Sequence, residues 1–331
     1  MTVSRRTVVT RAAAATLALG LMQAASPLYA QDFPTKPITI IVPSSAGGPA
    51  YVTARLIADR FSQALKQPVV VETVPGAGGT LGMGRLARSA PDGYTLMIHQ
   101  NGFAITPAIY EKLPFDVEKD FVTVGMINRS ETFVVGRPTL PANNFKELVA
   151  WMKGPGKPAR IAHPGVGTNG HLAATMFVRA LDIEPVLVAY KGIGPAVNDI
   201  VGGHVDVTQV GASAAAPLIK DNRIKLFAST GFSRNPHFPD TPTLKELGYD
   251  IQLWLWMGLF APAGTPQPVL EKLNDALRET IADSRIISNF DTALIQRFPE
   301  DQMSLKASAA YVRDQIALWG KVVRDNNIKG H

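Results

Sequence analysis

A short β-branched run, Pro37-Ile38-Thr39-Ile40-Ile41-Val42-Pro43, opens into a glycine turn, Ser44-Ser45-Ala46-Gly47-Gly48. Apolar residues then recur at helical spacing: Val52, Leu56, Ile57, Phe61 and Leu65. A second β-branched run, Pro68-Val69-Val70-Val71-Glu72, follows at once. An apolar β-branched run bounded by prolines predicts a buried strand, and a 3.6-residue period predicts a helix. Two strands joined by a helix lie parallel. Parallel sheets are buried on both faces, so this start dictates an α/β fold with helices layered on the sheet. The ligand crevice of such a sheet lies at the carboxyl ends of its strands.

The alternation continues for most of the chain. Helices are expected at 82–89, 105–110, 145–153, 171–180, 194–201 and around Leu218-Ile219. Strands are expected at 95–99, 122–127, 132–136, 160–162, 185–189, 206–210, 225–230 and near 254–260. Residues 235–242 are a proline-rich loop, and helices at 268–282 and 305–325 close the chain. With 331 residues the chain is too long for one typical core and suits two lobes. Two segments, about 32–133 and 134–253, each carry a strand–helix series. The helical tail after residue 260 has no sheet of its own and must pack on one of them.

The first thirty residues set the compartment. Arg5-Arg6 stands before an apolar, alanine-rich stretch from Ala12 to Met22, and Leu28-Tyr29-Ala30 is a small-residue cleavage site. This is the pattern of a secretion signal, twin-arginine-like in its arginine pair and equally open to the general secretion route, with a mature chain beginning near Gln31 and a periplasmic destination. Arg5, Arg6 and Arg11 account for half of the formal net charge of +6. The remaining basic residues are scattered without interleaved aromatics, which excludes a nucleic-acid surface. No cysteine is present, which excludes disulfides, thiol nucleophiles and a lipid-anchored cysteine.

Two loops can hold an anion. Ser44-Ser45-Ala46-Gly47-Gly48 leads into the first helix, where unpaired backbone N–H groups and the positive helix end favour carboxylates and phosphates. Gly165-Val166-Gly167-Thr168-Asn169-Gly170 has the same layout before a later helix. Either loop also makes sense as a plain helix cap. The spacing Gly165-x-Gly167-x-x-Gly170 superficially matches a dinucleotide fingerprint. It lies outside the first βαβ unit, and Glu184 precedes its strand instead of ending it, so no nicotinamide cofactor is expected. Catalysis finds little footing: Ser44 and Ser45 lack a GxSxG elbow and a base with its orienter. His163 and His171 suit capping better than metal binding. Asp92, Asp206 and Asp240 sit in turn-like contexts.

Several motifs, taken in order, resemble the Bug solute receptors of tripartite tricarboxylate transporters. They are Lys36-Pro37-Ile38, Pro43-x-x-Ala46-Gly47-Gly48, Pro75-Gly76-Ala77-Gly78-Gly79 and Ala90-Pro91-Asp92-Gly93-Tyr94-Thr95-Leu96. Tyr190-Lys191-Gly192, Gly202-Gly203-His204-Val205-Asp206, Ala261-Pro262-Ala263-Gly264-Thr265-Pro266 and Trp319-Gly320-Lys321-Val322-Val323 continue the series. The resemblance implies a two-lobed periplasmic binding protein, a Venus flytrap with a doubly wound sheet in each lobe. It implies crossings near 127–136 and 250–258 and C-terminal helices that return to the first lobe. The lobes are then 32–133 plus 254–331, and 134–253. The implied function is capture of a small organic acid and its delivery, by a monomer, to the membrane subunits of the transporter, with no enzymatic step, cofactor or metal. A receptor of the same build that serves signalling is the alternative, with a hydrolase behind it.

The expected ligand-binding residues are Ser44, Ser45, Ala46, Gly47, Gly48, Tyr51, Gln100, Gly165, Gly167, Thr168, Asn169, Gly170, Val210 and Ser213. The chain departs from the family where it often carries an aromatic at position 44, an aspartate at 51 and an acidic or amide residue near 210. Here Ser44, Tyr51 and Val210 stand, and His99-Gln100-Asn101 replaces smaller residues. Loss of acidic groups disfavours an amino-acid ligand, whose ammonium needs a partner. A dicarboxylate or an aromatic carboxylate is expected.

Overall fold

The computed structural model describes residues 33–166 and 168–325. The proposed secretion signal, residues 1–30, lies outside them, as does Gly167. The first three strands, β1 (Ile38–Val42), β2 (Val69–Thr73) and β3 (Thr95–Gln100), are parallel with β1 in the middle. Helix α1 (Pro49–Leu65) joins β1 to β2, and α2 (Thr80–Ala87) joins β2 to β3. Pro49 begins α1, where its missing N–H costs nothing. α1 buries Thr53, Ala54, Ile57, Phe61 and Leu65; of the expected stripe Ile57, Phe61 and Leu65 are buried, Leu56 is partly buried and Val52 is exposed, because the buried face is shifted toward Thr53 and Ala54. Helix α3 (Gly102–Ile109) follows β3.

Strand β4 (Phe121–Gly136) is the structural spine. The sequence predicts two strands here, and the structure has one of sixteen residues. The polar stretch Asn128-Arg129-Ser130-Glu131 looks like a break, yet two of its side chains are held in place by bonds from distant segments, while Arg129 Nε and Glu131 Oε2 have no partner among the described residues. Asn128 Nδ2 donates to Thr53 Oγ1 at 3.1 Å, and Glu131 Oε1 accepts from Asn235 Nδ2 at 2.6 Å. Register shifts at Thr123/Gly125, Met126/Asn128 and Val134/Val135 bend the strand. Up to Glu131, β4 pairs antiparallel with β9 (Trp254–Pro262), which pairs in turn with β3. The two-residue β10 (Gln296–Arg297) also lies along β4. From Thr132, β4 leaves for a second sheet.

That second sheet places β4 between β7 (Val207–Gly211) and β8 (Lys225–Ser229), and runs on through β5 (Arg160–His163) to β6 (Val186–Ala189). β5, β6 and β7 are mutually parallel. Helices α4 (Phe145–Lys153), α5 (Asn169–Leu181), α6 (Ile193–Gly202) and α7 (Ala212–Lys220) connect them. The chain returns between the sheets through Thr230 and Leu253. Thr230 Oγ1 lies 3.0 Å from Thr132 Oγ1 and from the Leu253 carbonyl, clamping the two crossing segments together.

The closing helices are α8 (Gln267–Ala282), α9 (Ser284–Thr292) and α10 (Leu305–Asp325). α8 packs on α1 and β4, and α10 packs on α3 and β4. Asn274 on α8 ties this layer down, donating to the carbonyls of Val124 and Met303 at 2.7 and 2.8 Å. Trp256 and Trp319 are fully buried and share one acceptor, Gln315 Oε1. Trp254 is half-buried, stacked on Phe232 with the Arg129 guanidinium 4.7 Å over its ring.

Asp206 lies in the bend ahead of β7, and its side chain does more than shape that bend. Its buried carboxylate accepts from Arg137 Nε at 2.9 Å and from Arg160 N, Nε and Nη2 at 2.8 to 3.0 Å. Burial alone would raise its pKa. The arginine hydrogen bonds outweigh that and hold the carboxyl below its ordinary range. The group pins the start of β5 to the start of β7, at the end of the sheet opposite the loops described next.

Candidate functional site

Each parallel set gathers its loops at one end. In the first sheet, residues 43–48 follow β1, 74–79 follow β2 and 101 follows β3, and each leads to a helix start. In the second, 164–168 follow β5, 190–192 follow β6, and Gly211 passes directly from β7 into α7. Helix N-termini therefore converge at the carboxyl ends of both sheets, the place where this class of sheet binds anions.

The first loop is the most open. Ser45, Ala46 and Gly47 are exposed, and Gly48 caps α1 with no side chain to occupy the first-turn N–H groups. Gly47 has φ +81°, and nothing lies within 4 Å of where its Cβ would stand. That left-handed turn puts a glycine where there is room for a ligand, while the Gly48 N–H donates back to the Ser45 carbonyl at 3.2 Å. Ser44 Oγ is buried with no hydrogen-bond partner among the described residues. Tyr51, one turn into α1, is half-buried and packs on the main core.

The matching loop in the second sheet is more constrained. Thr168 caps α5: its Oγ1 accepts from His171 N at 3.3 Å and donates to the Gly165 carbonyl at 2.6 Å. Its single hydroxyl proton is thus already engaged. Gly165 has φ +119°, with the Tyr190 carbonyl 3.1 Å from its Cβ position. Gly170 serves packing: a Cβ there would stand 2.4 Å from Pro164 Cδ. Asn169 is buried, and its Oδ1 has no partner among the described residues. Gly192 starts α6 without a side-chain cap, and its N–H donates to the Pro164 carbonyl at 3.1 Å, tying two loops together. Val210 is buried in the apolar cluster with Phe133 and Ala215 and serves as core. Ser213 is half-buried in the first turn of α7.

Three polar side chains near the strand ends stand out in the structure. Gln100 Oε1 is buried and unpartnered. Gln209, inside the apolar strand β7, donates to the Ala173 carbonyl and leaves Oε1 unpartnered. His99 is buried, accepts at Nδ1 from Gln100 N at 2.8 Å, and has no partner at Nε2. Burial pushes its pKa down to about 3, so the ring is neutral. Sequence reasoning passed over Gln209, whose signal was a lone amide between Thr208 and Val210 in an otherwise apolar strand. Asn101 is not free: it accepts from Trp256 N and donates to the Trp254 carbonyl, bracing α3 against β9. Tyr190, which donates to Asp199 Oδ2 at 2.6 Å, is pushed up to about 12 by burial and by that carboxylate.

Unpartnered buried polar atoms cost about 1–3 kcal/mol each and persist where something outside the chain completes them. Two α/β sheets joined by crossing strands, with helix N-termini and such atoms at their carboxyl ends, define a periplasmic binding protein. The profile of the tripartite tricarboxylate transporter family receptor matches residues 53–328, and the chain belongs to that family. It is 36% identical, over 89% of its length and 86% of the relative, to the UPF0065 protein of the TAR-I ttuE-ttuC' intergenic region of Agrobacterium vitis. The periplasmic binding protein BugD superposes with a TM-score of 0.84 at 31% identity, over 90% of this chain and all of BugD. MatC from Rhodopseudomonas palustris, solved with bound malate, superposes at 0.82 and 31% identity, over 88% of this chain and all of MatC.

Proposed function

We propose that the chain is a periplasmic solute receptor that closes on a small organic carboxylate and presents it, as a monomer, to the membrane subunits of a tripartite transporter. The first lobe comprises the first sheet with α8, α9 and α10, and the second lobe comprises the second sheet. The observation that carries the reading is the open N-terminus of α1, whose exposed loop has Gly47 in a left-handed turn and no side-chain cap. Ser44, Ser45, Ala46, Gly47 and Gly48 grip the first carboxylate. Gln100, Asn169 and the 165–170 loop meet the body of the ligand from the two sides. No lysine or arginine lies in either loop, so recognition rests on dipoles and hydrogen bonds. Each bond to a charged group contributes about 1.5–3 kcal/mol. Several together reach about −8 kcal/mol after association costs, a micromolar dissociation constant.

The relationship to MatC, which holds malate, supports a dicarboxylate. Tyr51 gives an aromatic or long aliphatic body a surface to lie on. A melting-temperature screen of the mature chain against C4–C8 aliphatic and aromatic acids tests the reading. Acid at 100 times its dissociation constant stabilises by about 2.7 kcal/mol. A flat response across every acid would refute it.

A further inference from the structure

The two sheets are joined by more than the crossing segments. Helix α10 is anchored on the first sheet, with Val312, Trp319 and Val323 buried and Trp319 Nε1 donating to Gln315 Oε1 at 3.2 Å. Its end reaches a helix of the second sheet. Arg179 Nη1, from the last turn of α5, donates at 3.2 Å to the carbonyl of Asp325, the last residue of α10. Between these helices lies a cavity of about 270 Å³. Met176 lines it from α5, Leu318 and Val322 line it from α10, and Phe232 and Leu253, beside the crossing, complete it. This seam stands apart from the clamp loops. Met176 and Arg179 lie seven and ten residues beyond Asn169, about 10 and 15 Å down α5. It is also lightly packed: Leu318 is 47% exposed and Phe232 57% exposed. One wall of the cavity moves with each sheet, so its width depends on the angle between them.

We propose that the end of α10 is a strap between the lobes: its seam with α5 changes width as the cleft closes, and the packing of that seam sets the resting balance of open and closed receptor. The strap presupposes the two lobes of the carboxylate-receptor reading and adds to it a control that touches no ligand. Only the closed form holds the ligand from both sides, so apparent affinity scales with the closed fraction. While the closed form is the minority, a tenfold change in the balance is a tenfold change in apparent affinity.

The test compares Leu318→Trp, which fills the seam, with Leu318→Ala, which widens its cavity. A side chain half in solvent tolerates both changes, and thermal melting checks that each variant folds. Nitroxide labels on Leu81→Cys and Lys191→Cys report the width of the cleft by pulsed electron paramagnetic resonance. Both residues are exposed and stand by the loops at the carboxyl ends of the two sheets, and the chain has no cysteine of its own to take a label. Without ligand, the two Leu318 variants should shift the label distance in opposite directions. In calorimetry with succinate, apparent affinity should rise about tenfold in one variant and fall about tenfold in the other. Distances that stay in place, distances that move the same way in both variants, or affinities within threefold of the wild type while the distances move, overturn the strap alone. A wild type that gives no heat with succinate counts against the receptor reading, and the label distances then decide the strap by themselves.

Discussion

Replacing Gly47 with valine should abolish ligand binding at little cost to folding. The backbone there has φ +81°, so a β-branched residue is strained by about 1–2 kcal/mol. No clash adds to this, because nothing lies within 4 Å of the new Cβ. The expected loss in melting temperature is therefore a few degrees. The valine side chain fills the open space beside the α1 N-terminus and keeps a carboxylate from at least two N–H donors. Two bonds to a charged group amount to about 3–6 kcal/mol, or roughly two to four decades in dissociation constant. Gly156→Val is the matched control. Gly156 also has a positive φ and nothing within 4 Å of its Cβ position, but it lies in the loop between α4 and β5, far from the strand carboxyl ends. Calorimetry and thermal melting on both variants and the wild type separate strain from site. Binding by Gly47→Val within threefold of the wild type would refute the clamp.

Three further outcomes are expected. Gly170→Ala should destabilise the protein by about 1–3 kcal/mol by denaturant titration, since its methyl would stand 2.4 Å from Pro164 Cδ. On acidification, unfolded His99 takes up a proton near pH 6.5, while the buried ring resists until about 3. Its folded pKa is depressed, so stability is present above 6.5 and falls by about 1.4 kcal/mol per pH unit between those limits. His163, lowered by burial, adds in the same direction. His99→Gln should flatten that slope in equilibrium unfolding, and an unchanged slope would contradict the assignment. Mass spectrometry of periplasmic protein should find a chain beginning at Gln31, and an intact Met1 or Thr2 would argue against export by this signal.

The α/β class was legible because β1, α1 and β2 advertise themselves: β-branched runs bounded by proline, then a helical period. β4 was not, because periodicity treats Asn128 to Glu131 as a polar gap, whereas Thr53 and Asn235 arrive from distant segments to bond Asn128 and Glu131. Glycine identity was legible and glycine purpose was not. Gly47 is open, while Gly170 is shaped by Pro164. Thr168 announced a helix start, but only its contacts show that its proton is engaged by Gly165. Val210 lies near the end of its strand like a site residue, but its side chain turns into the core. The unpartnered atoms of His99, Gln100 and Gln209 depend on what surrounds them in space, and local sequence holds no record of that.

Calorimetry of the mature chain with the tightest-binding acid of the C4–C8 panel, beside the amide of the same acid, tests the central claim most directly. The two ligands match in shape and differ in the charge that uncapped helix N-termini attract. The account predicts micromolar binding of the acid and no measurable heat from the amide. An amide that binds as tightly as its acid would contradict it.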